Sequence, residues 1–283
     1  ERRTERMAPR EWRLAGDAGA SAGCSTLLAG RDVRAGGTWL GVRRLPDGGG
    51  CRFATVLNNT AYKEPACASA PSRGTLPVRF LLGPVDQSPG DFVRALASEP
   101  ATEEMAGFSM LCVTFNGSSA SAEAAFVRNR AGLAEATILP TLGPGIHALC
   151  NDATLESPWS RVHRGRGLLA EALRVPGSRL STELFERLLL DRTVPDPIAP
   201  KSEGKGNHPL FIVPDEEGSL AHGTRASTVV LCSRDGRIHA AERCFDPASG
   251  VAGAELAYIS PGRAGSAAWS PQPAPEALPR SRL

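Results

Sequence analysis

Long apolar runs are missing from this chain. No stretch approaches the roughly 18 consecutive apolar residues that a membrane-spanning helix needs, and no basic-then-apolar segment opens it as a secretory signal would. The expectation is a soluble, non-secreted protein with no transmembrane span. Lysine is scarce: only Lys63, Lys201 and Lys205 occur. Arginine carries the remaining basic charge, and with abundant Ala, Gly and Pro this bias fits a GC-rich coding sequence as well as any selection for guanidinium chemistry. Net charge is also small, at +2, so bulk electrostatics give no reason to expect nucleic acid or an anionic membrane as partner.

Cofactor signatures are equally absent. There is no GxxxxGK[ST] loop and no GxGxxG at a strand-helix junction, which removes the nucleotide-cofactor readings. The seven cysteines are odd in number, form no CxxC pair and sit mostly in apolar runs, the pattern of reduced core thiols in an intracellular protein. His147, His163, His208, His222 and His239 lack metal spacing, so no zinc site is expected. His147 and Cys150 alone stand close in sequence; both are possible haem axial ligands, but a turn explains the spacing as well. No metal and no bound cofactor are expected.

What is present is 41% hydrophobic and 22% charged residues over 283 positions, enough for one large domain. Apolar segments at 38–43 and 51–57 flank Asp47-Gly48-Gly49-Gly50, which predicts a hairpin. Ser88-Pro89 ahead of Phe92, Val93 and Leu96 predicts a capped short helix. Residues 108–115 (FSMLCVTF) and 122–127 flank Asn116-Gly117, and 226–232 and 238–245 flank Asp235-Gly236; each reads as a further hairpin. Helical spacing of leucines recurs over 159–173 and 182–190. The stretch 191–209 is rich in Pro, Gly, Lys and Ser and reads as a surface connection. Strands, then helices, then strands give an α+β class in one domain over 24–260, preceded by a divergent segment at 1–23 and followed by a disordered tail at 261–283.

The segment LAGRDVRAGGTWLGV at 28–42 carries Gly30-Arg31-Asp32 and Gly36-Gly37-Thr38-Trp39. It is followed in order by Leu57-Asn58-Asn59, Ser72-Arg73-Gly74, Gly107-Phe108, Phe115-Asn116-Gly117, GIHALCNDATLESPW at 145–159, Gly223-Thr224-Arg225-Ala226-Ser227-Thr228-Val229 and Glu242-Arg243. In these blocks, covering most of 24–250, the chain resembles the transport and Golgi organisation protein 2 family, also called the Asn-Arg-Asp-Glu family. The resemblance implies a four-layer αββα sandwich like that of N-terminal nucleophile hydrolases. It also implies a role in Golgi and endoplasmic reticulum organisation and secretion, and in handling haem or an acyl-CoA/lipid ligand. The implied location is cytoplasmic, with association to Golgi, endoplasmic reticulum or mitochondria. Family members begin Met-Cys before a strand leading into the Asn-Arg-Asp-Glu motif; here the chain opens at Glu1, and Arg3-Thr4-Glu5, with Ala8-Pro9 and Trp12 beyond it, is the only trace. The first strand is therefore expected to be missing or degenerate, and the chain as it stands non-catalytic. An N-terminal nucleophile amidohydrolase cleaving a linear amide is the alternative if a cysteine lies upstream, since such a nucleophile uses its own terminal amine as base.

Five positions are candidate ligand-binding residues: Arg31, Asp32, Asn59, Asn151 and Arg225. Asn151 follows a glycine-rich turn, and its amide suits an oxyanion or ligand carbonyl, though Asn is also a common turn residue. Arg225 at a strand start offers a planar bidentate donor, or a solvated rim charge. Asn59 ends a predicted strand as a third amide. Arg31-Asp32 is an ion pair, a turn or a site. Gly36-Gly37 permits close backbone approach to a ligand or a bend at strand entry. Trp39 and Trp159 read as packing anchors.

Overall fold

Eleven strands and five α-helices are assigned in a computed structural model of the chain, which describes residues 6–12, 27–45, 50–59, 69–116, 121–130, 133–151, 155–196, 206–214, 222–233, 237–259 and 270–272. The class is mixed α+β, and all pairings with a stated register are antiparallel. The chain divides into two compact units. One holds 1–157, 232–237 and 261–268; the other holds 158–231, 238–260 and 269–283.

The first unit is a seven-stranded meander in sequence order. Its strands are β1 (Arg6–Trp12), β2 (Leu27–Asp32), β3 (Leu40–Arg44), β4 (Gly50–Asn58), β5 (Phe108–Asn116), β6 (Ser121–Arg130) and β7 (Leu133–Leu142). Strand β1 lies within the expected divergent segment 1–23; the strand expected to be missing or degenerate precedes the Arg3-Thr4-Glu5 trace and falls outside the described residues. β1 is an edge strand held by backbone pairing to β2, which needs no apolar alternation, and its register shifts between Met7 and Arg10, around Pro9, which has no N–H to give. The expected hairpins β3–β4 and β5–β6 are present, with Val42 opposite Phe53 and Leu111 opposite Phe126. The turn residues 47–49 and Gly117, and the Arg3-Thr4-Glu5 trace, lie outside the described residues.

The helices do not wait for the middle of the chain. Helices α1 (Thr75–Leu82), α2 (Pro89–Ala97) and α3 (Pro100–Glu104) connect β4 to β5, which are themselves hydrogen-bonded neighbours. Ser88 caps α2: its hydroxyl accepts from the Asp91 N–H at 3.1 Å, with Pro89 in the first turn. These helices cover one sheet face, where Leu27, Ala29, Ala54, Val56, Phe108, Met110, Cys112, Ala125 and Val127 meet Leu76, Phe80, Leu81, Phe92, Val93 and Leu96. Period-2 alternation puts Leu28, Val42, Cys51 and Phe126 on the other face, and these are buried as well.

In the second unit α4 (Ser160–Ala172), α5 (Leu180–Glu183) and a π-helical segment, Leu184–Leu189, fall where leucine spacing predicts helix. Its sheet runs β11-β10-β9-β8 through β8 (Ala226–Cys232), β9 (Ile238–Phe245), β10 (Ala252–Ile259) and β11 (Ser270–Gln272). The β8–β9 hairpin matches the expectation; bonds from Ser233 N to Arg237 O (2.9 Å) and Phe245 N to Arg225 O (2.8 Å) fix it as antiparallel, with Asp235-Gly236 outside the described residues. Its core joins Ala172, Leu184, Phe185, Val229, Ala241 and Ala257. Arg243 lies over the Phe185 ring at 4.3 Å and bonds Glu255 and Glu186, each at 2.7 Å.

Candidate functional site

Strand β4 ends in Asn58 because the next residue, Asn59, turns its N–H to the Gly107 carbonyl (2.9 Å), just before β5 begins. Arg73 donates to the same carbonyl at 3.0 Å. The exposed Asn151 reaches back 93 residues to give its side-chain N–H to the Asn58 carbonyl at 2.9 Å, while Asn59 is 1% exposed beside it. A third amide completes the cluster. Buried Asn129 accepts from Phe108 N (2.8 Å) and donates to the carbonyls of Thr102 (2.6 Å) and Met105 (3.2 Å), which fixes the entry to β5. Of the sequence-predicted residues, Asn151 thus bonds the carbonyl of Asn58, the residue before Asn59, at one end of the first sheet. Asn129 and Arg73 belong with them; only the block Ser72-Arg73-Gly74 hinted at one of these, and an Asn inside an apolar-to-polar strand end gave no motif for the other.

Arg31 and Asp32 close β2 in the same unit. Asp32 accepts the N–H groups of Arg34 and Ala35, both at 3.0 Å, and its carbonyl accepts from Gly36, so its carboxylate shapes a turn. Arg31 is exposed. Gly36 has φ +75, and Gly37 packs on backbone: a Cβ there would lie 2.4 Å from the Gly74 carbonyl carbon, and Thr38 N bonds Gly74 O at 2.9 Å. The close approach anticipated at this glycine pair occurs at Gly37 alone, and it is to this chain's own Gly74, whereas Gly36 has nothing within 4 Å of a Cβ. Trp159, likewise, is a packing anchor, with Gly206 so near that a Cβ would stand 2.6 Å from the ring.

His147 sits between two acceptors. Nε2 is 2.8 Å from the Gly143 carbonyl, and Nδ1 is 3.1 Å from Glu156 Oε1. The same carboxylate oxygen accepts from Ala148 N at 3.1 Å, and Glu156 adopts φ 57 to bring it there. Both ring nitrogens are occupied in closing this turn, so His147 is not set up as a haem axial ligand. Among the described residues no group of three or more His, Cys, Asp or Glu could hold a metal ion.

Arg225 belongs to the second unit and is exposed at the entry to β8. Near it, Thr228 donates to the buried Glu242 at 2.7 Å, and the Cys244 thiol lies 3.9 Å from the other carboxylate oxygen. Burial pushes the Cys244 thiol up, the Glu242 charge and hydrogen bond add to that, and the Arg225 charge opposes it. The sequence singled out Glu242 only as part of a Glu-Arg dipeptide. Its burial follows from the period of β9, which puts it on one face with Ile238 and Ala240.

The blocks that carry the family resemblance therefore build turns, a strand end and a hairpin entry, with amide and guanidinium donors at the rims. Among the described residues no helix is long and apolar enough to cross a membrane. The family profile "Transport and Golgi organisation 2" matches residues 13–247. A Bos taurus protein, "Transport and Golgi organization protein 2 homolog", is 27% identical over 231 residues, covering 77% of this chain and 76% of the relative. The Mus musculus "Transport and Golgi organization 2 homolog" is 27% identical over 233 residues, with 77% of each chain covered. The Homo sapiens homologue is 26% identical over 231 residues, covering 77% of this chain and 76% of its own. With a family match spanning both units and all five candidate residues, the chain belongs to the Transport and Golgi organisation 2 family.

Proposed function

We propose that this chain acts in transport and Golgi organisation, as the names of its relatives say, by binding a small carbonyl- or carboxylate-bearing ligand, with haem and long-chain acyl-CoA the candidates. The observation that carries this is Asn151, exposed and oriented by its bond to Asn58 O beside buried Asn59. An amide held in place from behind is preorganised to meet an acceptor. Arg31 and Asp32 are rim residues at the end of β2 in the same unit; Arg225, in the second unit, is by itself a bidentate donor suited to a carboxylate or phosphate. A cytoplasmic location at Golgi, endoplasmic reticulum or mitochondrial surfaces is part of the same proposal.

The architecture that goes with it is one domain with the four-layer αββα fold of N-terminal nucleophile hydrolases. Two features support this. Each unit pairs one antiparallel sheet with helices, and each sheet also buries residues on the face away from its helices: Leu28, Val42 and Phe126 in one, Ile238 and Ala240 in the other.

Titration of haem, followed by its absorbance, and of a long-chain acyl-CoA, followed by calorimetry, tests the binding. Saturable binding of one of them is expected, weakened about 5- to 10-fold in Asn151→Ala, as the loss of about 1 to 1.5 kcal/mol per hydrogen bond implies. No saturable binding of either ligand sinks the proposal. The second reading, an amidohydrolase, is favoured by the same preoriented Asn151 amide, which suits a developing oxyanion. It requires a nucleophile at a processed N-terminus, so turnover of linear amides by protein isolated from cells, abolished by replacing its first residue, would establish it in place of the first.

A further inference from the structure

Two cysteines that the candidate site does not use lie sulfur to sulfur. Cys51 is 2% exposed in β4, fixed on both sides by the sheet, opposite Arg44 on β3 and Phe115 on β5. Cys232 is the last residue of β8 and belongs to the first unit with Cys51. It is exposed, and the next residue, Ser233, ties the strand end by bonds from its N–H (2.9 Å) and hydroxyl (3.0 Å) to Arg237 O. The two Sγ atoms are 3.1 Å apart across 181 residues of chain. A disulfide requires about 2.0 Å, so about 1 Å of closure separates the two states.

We infer that Cys51 and Cys232 form a peroxide-sensitive thiol pair that closes reversibly to a disulfide. The exposed partner is the one hydrogen peroxide can reach, and the buried partner is positioned to resolve the product. The electrostatics run the same way. The hydrogen bond from Cys51 lowers the Cys232 thiol toward ionisation, whereas that same bond and burial hold Cys51 protonated. Cys112 and Cys244 are poorer candidates: burial pushes up both, and Glu242 pushes Cys244 further.

The steps balance. The Cys232 thiolate attacks one peroxide oxygen, the O–O bond breaks, and the departing hydroxide takes the proton that the thiol had released, giving water and a sulfenic acid. The Cys51 sulfur then attacks the Cys232 sulfur, the S–O bond breaks, and the leaving hydroxide takes the Cys51 proton as a second water. Two thiols lose two electrons and two protons, and one peroxide becomes two waters. The product cross-links residues far apart in sequence, which restricts the unfolded chain.

The test is peroxide treatment of the full chain, alkylation of remaining thiols and peptide mapping without reduction. A Cys51–Cys232 cross-linked peptide is expected as the first product, removed by dithiothreitol and accompanied by a raised thermal midpoint. Cys232→Ser, at an exposed position, should keep the fold and abolish both the cross-link and the midpoint shift. In Cys51→Ser, the Cys232 sulfenic acid should persist and be trapped by dimedone. Three outcomes overturn the inference: oxidation of Cys232 beyond sulfenic acid while Cys51 stays a thiol, a cross-link to any other cysteine, or no loss of thiols in the folded protein. Mapping of the unsubstituted chain decides the matter even if Cys51→Ser fails to fold.

Discussion

Arg52 sits in an apolar strand, between Cys51 and Phe53, and is 0% exposed. Its guanidinium donates to the carbonyls of Phe80 (3.0 Å), Gly83 (3.1 Å), Pro84 (2.5 Å), Val85 (3.2 Å) and Gln87 (2.6 Å), and lies 5.0 Å from the Phe80 ring centre. Its cross-strand neighbour Arg43 donates to Leu81 O at 2.7 Å. Like charges placed directly opposite would repel; here both are turned to the carbonyl-rich C-terminal end of α1 and the turn after it, where cations are favourable. Arg52→Met keeps the apolar stem but leaves several carbonyls without their donor, and it should cost about 3 kcal/mol. A lowered denaturation midpoint with unchanged slope in urea is the measurement. Gly37→Ala forces a methyl into the Gly74 backbone and should cost about 1 to 3 kcal/mol, whereas Gly143→Ala, with nothing within 4 Å of the new Cβ, serves as the control. Equal thermal midpoints for the two variants would refute the backbone contact.

At the scale of elements, α2 is legible from its own sequence because its start is set locally. The Ser88 hydroxyl, Pro89 and the Asp91–Arg94 ion pair (2.7 Å) all lie within seven residues. Ser88→Ala should lower stability by about 1 kcal/mol, seen as a reduced thermal midpoint. The segment after α5 is harder to read: leucine spacing predicts helix, and the π geometry, with Leu190 N on Phe185 O at 3.0 Å, comes from packing. Past its end Asp191 accepts two bonds from Arg164 on α4, at 2.6 and 2.7 Å, and its carbonyl accepts from Phe211 N at 2.8 Å. The Arg164 hydrogen bonds hold the Asp191 carboxyl below its ordinary value, against burial, with Thr193 assisting. A carboxylate depressed by folding stabilises at pH above its unfolded value of about 3.9, and this is lost as pH falls through the lower folded value. Asp191→Asn should therefore be less stable than the parent by about 1 kcal/mol at neutral pH, with the gap closing as the pH falls below the unfolded value and through the lower folded one. A pH series of melting curves checks this, and a gap that persists in acid would refute the assignment.

For the whole molecule, the chain holds two sheet-and-helix units whose segments interleave in sequence: the short stretch at 232–237 returns to the first while its flanks build the second. No composition shift announces such a division, because both units draw on the same mix of short strands and apolar helices. The sequence by itself determined the family blocks, the hairpins β3–β4, β5–β6 and β8–β9, the capped α2 and the leucine-spaced helices, since each rests on turn chemistry and periodicity within about a dozen residues. Its order of layers was less complete. The α1–α3 connection between β4 and β5, and β1 at the edge, depend on backbone pairing between distant segments that leaves little trace in side-chain pattern. The candidate residues divide the same way. Residue type and family block pointed to Asn59, Asn151, Arg31, Asp32 and Arg225. Only tertiary structure decided that Asn151 bonds Asn58, that Gly37 rests on Gly74 rather than facing a ligand, and that Cys51 meets Cys232. Local rules extend over a few residues; these contacts join positions tens to nearly two hundred residues apart, and only the folded chain brings them within bonding distance.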